Sequence, residues 1–202
     1  MPATTKVKAV IDQLFLMESK EEILGLIDIY LEEFPNEKEE VSQLGQFLKE
    51  HEGHDLIDRK NFHGHITTSA FIVNQDASSV LLLKHKSLNR WLQPGGHVDS
   101  TDTSLQSAAL REAFEETGLA PDNLELLSPK IFDVDSHHIP ENPRKQEPAH
   151  IHHDLRFLFK CATPQVLAIC EEESSDSQWI PFDRLQDNED FYWLEEKVKL
   201  FS

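Results

Sequence analysis

Basic residues are scarce in this chain: 19 Lys and Arg stand against 37 Asp and Glu over 202 residues, a formal net charge of -18. A protein that tracks a phosphate backbone needs clustered Lys and Arg, so this balance argues against an extended nucleic-acid surface while leaving small phosphorylated molecules open. Cysteine is nearly absent as well. Cys161 and Cys170 are the only two; they lack a Cys-x-x-Cys spacing and sit in apolar stretches that read as neighbouring strands, so buried thiols are expected rather than a disulfide framework. No apolar run approaches the roughly 20 residues of a membrane span. The opening MPATTKVKAV also lacks the apolar stretch of a signal peptide. A cytoplasmic protein without a membrane partner is therefore expected. The 39% hydrophobic content is compatible with one ordinary core plus an extension.

Against that background one stretch concentrates chemistry: GGHVDSTDTSLQSAALREAFEETGL, from Gly95 to Leu119. Thr103 followed by Gln106 matches a capping box, which starts a helix at Ser104, and Gly118 supplies a left-handed stop after Thr117. Leu105, Ala108, Ala109 and Ala113 supply its apolar positions, with Leu110 and Phe114 beside them. Glu112, Glu115 and Glu116 fall at i, i+3 and i+4, on one side of the helix. Carboxylates near a helix C-terminus oppose the macrodipole by about 0.3 to 1 kcal/mol each. Glu112 and Glu116 also repel each other by about 0.2 to 0.5 kcal/mol. Arg111 reaches Glu115 at i+4, but one arginine does not balance three acids. A hard divalent cation reverses the problem: Mg²⁺ takes oxygen ligands and is usually held by few carboxylates plus substrate phosphates. Just upstream, Gln93-Pro94-Gly95-Gly96 reads as a turn in which two glycines permit positive φ and close backbone approach, so that the Gly96 carbonyl could face the same cation. The alternative is a plain solvated acidic face.

These residues resemble the Nudix box, G-x5-E-x7-R-E-U-x-E-E-x-G-U with U aliphatic. Arg111, Glu112, Glu115, Glu116, Gly118 and Leu119 fall on its R, E, E, E, G and final U. The first half departs: Asp102 stands where the first Glu is expected, and eight residues rather than seven separate it from Arg111. The resemblance implies an α/β fold, an α/β/α sandwich with a mixed sheet, covering residues 60–202. It also implies a Mg²⁺-dependent (or Mn²⁺-dependent) pyrophosphohydrolase. The substrate would be a nucleoside diphosphate linked to another moiety: a nucleotide sugar, ADP-ribose, a dinucleotide or a nucleoside triphosphate. Under this resemblance Gly96, Glu112, Glu115 and Glu116 hold metal, Arg111 orients the acids, and either Glu112 or a loop glutamate takes a proton from water. Glu173, in the run Glu171-Glu172-Glu173 after a strand, is the expected loop residue, with a solvated acidic loop as the alternative. The proline of the ADP-ribose branch is missing near Val134, and the tyrosine of the dinucleoside polyphosphate branch is missing at Ser136 to His138. A binding or regulatory module of the same fold, without turnover, is the alternative function.

Elsewhere the pattern is organisational. Residues 1–59 read as a helical N-terminal extension in three segments. The first carries Val7, Val10, Ile11, Leu14 and Phe15. The second carries Ile23, Leu24, Ile27, Ile29, Tyr30 and Leu31 and closes at Pro35. The third runs near Glu37 to Glu50, with Val41, Leu44, Phe47 and Leu48 on one face. It is read as a docking or dimerisation element, which leaves a homodimer open. From His65 the pattern turns to strands: a hairpin of HITTSAFIVN and VLLLKHK, then PKIFDVDSHHI, HIHHDLRFLFKCA and QVLAICEE, and a last helix ending in FYWLEEKVKLF. Lys84, Lys86 and Arg90, the only bases in residues 61–110, precede the glycine turn and either meet substrate phosphates or form an ordinary strand-end cluster. His150, His152 and Asp154 alternate along one strand and share a face. A structural or substrate-facing role is expected for them over a zinc site, because no Cys joins them.

Overall fold

The computed structural model describes residues 19–143 and 146–201; the first expected helical segment, with Val7 to Phe15, lies outside them. Helix α1 (Lys20–Glu33) starts at a reciprocal cap in which Ser19 Oγ accepts from the Glu22 N–H and the Glu22 carboxylate accepts from the Ser19 N–H. These bonds satisfy two of the donors that every helix start leaves open. It ends at Phe34, and Pro35 opens a short 3-10 turn, Pro35–Glu37. Helix α2 (Ser42–Glu50) buries Leu44, Phe47 and Leu48, with Val41 buried just before it. In α1, Ile23, Ile27 and Tyr30 are buried, whereas Leu24 and Ile29 of the same stripe are exposed.

Strand β1 (His65–Val73) is buried at every position, and β2 (Ser79–His85) returns antiparallel to it with Val73 opposite Val80. Asn74 makes the turn: its side-chain oxygen accepts from the N–H groups of Ser78 and Ser79, each at 2.9 Å. There follow β3 (Arg90–Leu92), β4 (Gly95–His97), helix α3 (Leu105–Thr117), β5 (Leu124–Leu126), β6 (Asp133–Ile139), β7 (His150–Cys161), β8 (Ser174–Pro181) and helix α4 (Leu194–Lys199). The strands form one eight-stranded sheet in the order β3-β2-β1-β7-β5, with β4 paired to β1, β6 to β7 and β8 to β2. This is an α/β fold. Among the described residues no helix is long and apolar enough to cross a membrane.

Two compact units divide the chain. The first comprises the described residues up to Thr68, His97–Ala108 and Val134–Leu155; it holds α1, α2 and most of the histidines. The second comprises Ser69–Gly96, Ala109–Asp133 and the chain from Arg156 onward. Its core is Phe71, Val73, Val80, Leu82, Phe132, Leu158, Phe182, Leu185, Phe191, Leu194 and Val198. A buried ion triad lies beside this core: Asp133 accepts from Arg156 at 2.9 Å and from the buried Lys197 of α4 at 2.8 Å.

The segment QVLAICEE is not a strand. Residues 164–170 have no regular structure and 171–173 form a turn. Their backbone goes to the end of α3 instead: the Ala168 N–H donates to the Thr117 carbonyl at 2.8 Å and the Cys170 N–H to the Glu116 carbonyl at 3.1 Å. The last carbonyls of a helix lack intrahelical donors, and this segment supplies them. Cys170 therefore stands half-buried outside any strand, while Cys161 is buried at the end of β7; both are unpaired.

Candidate active site

Helix α3 starts one residue later than its sequence suggests. Ser104, not Thr103, is the cap: Ser104 Oγ accepts from the Ser107 N–H at 3.0 Å, and Ser107 Oγ accepts from the Ser104 N–H at 2.9 Å. Serine at the third helical position replaces the Glu or Gln of the usual box and closes the same two bonds. Leu105, Ala108, Ala109 and Ala113 are fully buried, whereas Phe114 is largely exposed. The helix stops at Gly118, which has φ +70° and donates to the Phe114 carbonyl at 2.8 Å. In the loop before it, the buried Asp102 carboxylate accepts from the Asp99 N–H at 2.8 Å, so this acid closes the loop that leads into the helix.

The three acids on α3 have different surroundings. Glu115 is exposed, Glu112 half-buried and Glu116 only 9% exposed. Arg111 Nη1 donates to Glu112 at 2.8 Å and to Glu115 at 3.3 Å. Glu116 is met by a backbone donor, the Gly95 N–H at 3.0 Å. The glycine pair and the helix therefore form one site, though not through backbone freedom: neither Gly95 nor Gly96 has positive φ. Space is the reason. A Cβ at Gly96 would lie 2.7 Å from the Glu112 carboxyl carbon, and one at Gly95 would lie 2.3 Å from Ser69 Oγ and 2.7 Å from Ser69 Cα.

Glu173 completes the cluster from the connector that covers the end of α3. The Lys86 N–H donates to the Glu173 carbonyl at 2.9 Å, and the Lys86 ammonium bonds the Glu171 carbonyl. Glu173 is exposed, and its carboxyl acts on that of Glu116. Burial first, and then the Glu173 carboxyl, push Glu116 up to about 8. Burial likewise raises Glu112, with Arg111 opposing. Arg111 meets two of the four carboxylates, Glu112 and Glu115, and burial destabilises Glu112 and Glu116 as anions. Such a donor set fits a hard divalent cation, which supplies the missing positive charge and takes oxygen ligands.

Of the expected phosphate-binding bases, Lys86 is the one stitched to this cluster. Lys84 donates to the Asn89 carbonyl at 2.7 Å and lies over the Trp91 ring, and Arg90 pairs with Asp190 at 2.7 Å. His150 and His152 belong to the first unit, whereas the carboxylates belong to the second. Asp154 does not share their environment: it is buried and accepts from Thr67 Oγ1 at 3.2 Å. Their third neighbour is His65, on β1. Nothing in the sequence marked His65, because 85 positions separate it from His150 and only the adjacency of β1 and β7 brings the two strands together. The Gly95 N–H was equally hidden, since a backbone donor has no residue type to recognise.

Comparison with known proteins identifies the family and the fold. A family model described as NUDIX domain matches residues 63–200. A protein of Lactococcus lactis subsp. cremoris named "Probable DHNTP pyrophosphohydrolase" is 28% identical over 135 residues, 67% of this chain and 72% of that protein. An Enterobacter protein named "Uncharacterized Nudix hydrolase NudL" is 59% identical over 34 residues, only 17% of this chain and 18% of its own length. Among solved structures, a C. elegans Ap4A hydrolase binary complex superposes with a TM-score of 0.53 at 18% identity, over 67% of this chain and 96% of that one. The E. coli dihydroneopterin triphosphate pyrophosphohydrolase gives 0.51 at 17% identity, over 67% and 93%. At these identities the two structural likenesses speak to the fold.

Proposed function

The chain belongs to the Nudix family of hydrolases acting on pyrophosphate bonds, and from that premise we propose that it cleaves the diphosphate bridge of a nucleoside diphosphate linked to another moiety, with Mg²⁺ or Mn²⁺ as cofactor. Residues 60–202 are the hydrolase domain in this reading, and 1–59 an extension. Divalent cations are general to the family, and the observation that supports one here is that Glu112 and Glu116 close on the Gly95–Gly96 backbone, with Glu173 acting on Glu116 and Arg111 bonded to Glu112 alone of these three.

Glu112, Glu115, Glu116 and the Gly96 carbonyl are the proposed holders of the cation. When bound, it would offset phosphate charge and lower the pKa of water. The protein's own groups do the rest. Arg111 fixes the Glu112 and Glu115 carboxylates against each other. The Gly95 N–H holds one oxygen of Glu116 and so sets its rotation. Glu173 is the preferred proton acceptor over Glu112. It is exposed to an incoming water, while Glu112 is tied to Arg111 and pressed against Gly96. Lys86, with Lys84 and Arg90 on the same strand-turn-strand, is read as meeting substrate phosphates. The unpaired cysteines support a reducing compartment, the cytoplasm.

The test is a turnover screen of the full chain with Mg²⁺ against nucleotide sugars, ADP-ribose, dinucleotides and nucleoside triphosphates, the DHNTP relative adding a pterin triphosphate to the set. Glu115→Gln and Glu116→Gln should each lower kcat severely with the fold intact. Near-normal rates in both variants would sink the assignment.

A further inference from the structure

We infer that His65, His150 and His152 form a second metal site, built from imidazoles rather than carboxylates and suited to a zinc-class cation. The three imidazoles come from neighbouring strands, His65 from β1 and the other two from alternate positions of β7. Each offers a ring nitrogen, and these atoms all lie within 4.8 Å of one another; among the described residues no other three metal-binding side chains converge so closely.

Hydrogen bonding sets which nitrogens face inward. His150 Nδ1 lies 2.8 Å from the Pro148 carbonyl and His65 Nδ1 lies 3.3 Å from the Asn61 carbonyl. A carbonyl only accepts, so both Nδ1 atoms carry the proton, and in the neutral rings both Nε2 atoms present a lone pair. Metal-ligating histidines are oriented in this way, the outer nitrogen donating to a fixed acceptor. His65 Nε2 is buried and has no hydrogen-bond partner among the described residues. His150 Nε2 and His152 Nε2 are 3.1 Å apart. Two nitrogens each about 2.0 to 2.1 Å from a tetrahedral zinc would be separated by about 3.3 Å. A proton shared between His150 and His152 accounts for that one contact and leaves His65 Nε2 orphaned; a cation accounts for all three atoms.

The surrounding histidines separate by partner. His153 Nδ1 pairs with Ser136 Oγ at 2.8 Å and His137 Nδ1 with Asp135 at 2.7 Å. The His97 ring lies 5.1 Å from that of His65 and 5.2 Å from that of His152, beside the proposed ligands. An all-imidazole donor set suits zinc and its neighbours in the first transition row, and is unsuited to magnesium, which takes oxygen.

The experiment uses the untagged full chain, stripped with a chelator and dialysed. Zn²⁺ is titrated in competition with a chromogenic chelator, and Co²⁺ is added in parallel to read the visible bands of tetrahedral nitrogen ligation. One Zn²⁺ per chain is expected. His65→Ala and His152→Ala should each weaken it by more than about 100-fold, since loss of an outer partner alone costs 10- to 100-fold. The Glu115→Gln/Glu116→Gln double variant should bind zinc as the wild type does. Circular dichroism in chelator checks the fold of each variant; if His65→Ala does not fold, His152→Gln at its half-buried position carries the same comparison. Absence of binding at micromolar Zn²⁺, unchanged affinity in the folded histidine variants, or loss of affinity in the glutamine double variant would each overturn the site.

Discussion

The backbone N–H of Gly95 donates to Oε2 of Glu116 at 3.0 Å, joining the glycine strand to a helix 21 positions further along the chain. One bond thereby places a buried carboxylate against a backbone that no larger residue could approach, and it couples the glycine pair to the acids in a way that substitutions can separate.

Alanine at the two glycines should have opposite signatures. At Gly96 the atoms nearest the added Cβ are the far end of Glu112, at 2.7 Å, which can swing aside. Gly96→Ala should therefore lower the melting temperature little and kcat strongly. At Gly95 the Cβ meets the Ser69 backbone at 2.7 Å, which cannot. Gly95→Ala should cost about 1 to 3 kcal/mol of stability. Thermal unfolding beside steady-state kinetics reads both; equal stability loss in the two variants would contradict the distinction.

The raised acid of Glu116 makes the chelator-treated protein pH-sensitive in a stated direction. Its folded value of about 8 lies above the ordinary 4.5. The folded state therefore holds a proton that the unfolded state has lost, and this contribution is complete below about pH 4.5 and lost as pH rises through 8. In chelator, the stability difference between wild type and Glu116→Gln should shift against the wild type from pH 5 to pH 8. A difference that stays constant across that range rejects the shift.

Asp133 answers two cations, Arg156 at 2.9 Å and Lys197 at 2.8 Å, with Lys197 and Asp133 both buried. Removing the charge they share is costly because both remain in a poorly solvated setting. Asp133→Asn should destabilise by about 3 to 5 kcal/mol. Lys197→Met leaves Asp133 with Arg156 and should cost less. Urea unfolding of the pair decides the order.

The position of the α3 cap is open to the same kind of check. Ser104→Ala removes the acceptor of the Ser107 N–H and should cost about 1 kcal/mol. Thr103→Ala, at an exposed side chain that only meets Ser107 Oγ at 3.3 Å, should cost less. Calorimetry of the two variants, with the larger loss at Thr103, would return the cap to Thr103.

Much of the fold could be read locally. The α1 stripe of Ile23, Ile27 and Tyr30, the Asn74 hairpin, the Gly118 stop and the acids of α3 all follow from spacing and residue type, and each is found where the pattern put it. The misreadings share a cause. QVLAICEE has the composition of a strand, but its N–H groups were drawn to the open carbonyls of α3, and nothing in an eight-residue window contains that competitor. Thr103 lost the cap to Ser104 because Ser107, a weaker match to the rule than Gln106, reciprocates the bond.

Residue order by itself determined which side chains exist at helical and strand spacing, and thereby the carboxylate helix, the glycine pair and the family they resemble. Tertiary structure decided which acid is buried, that close packing rather than positive φ requires the glycines, and that His65 stands with His150 and His152. Periodicity acts over a few residues of one chain segment, whereas burial, desolvation and ligand convergence depend on strands and helices that meet only after the chain has folded.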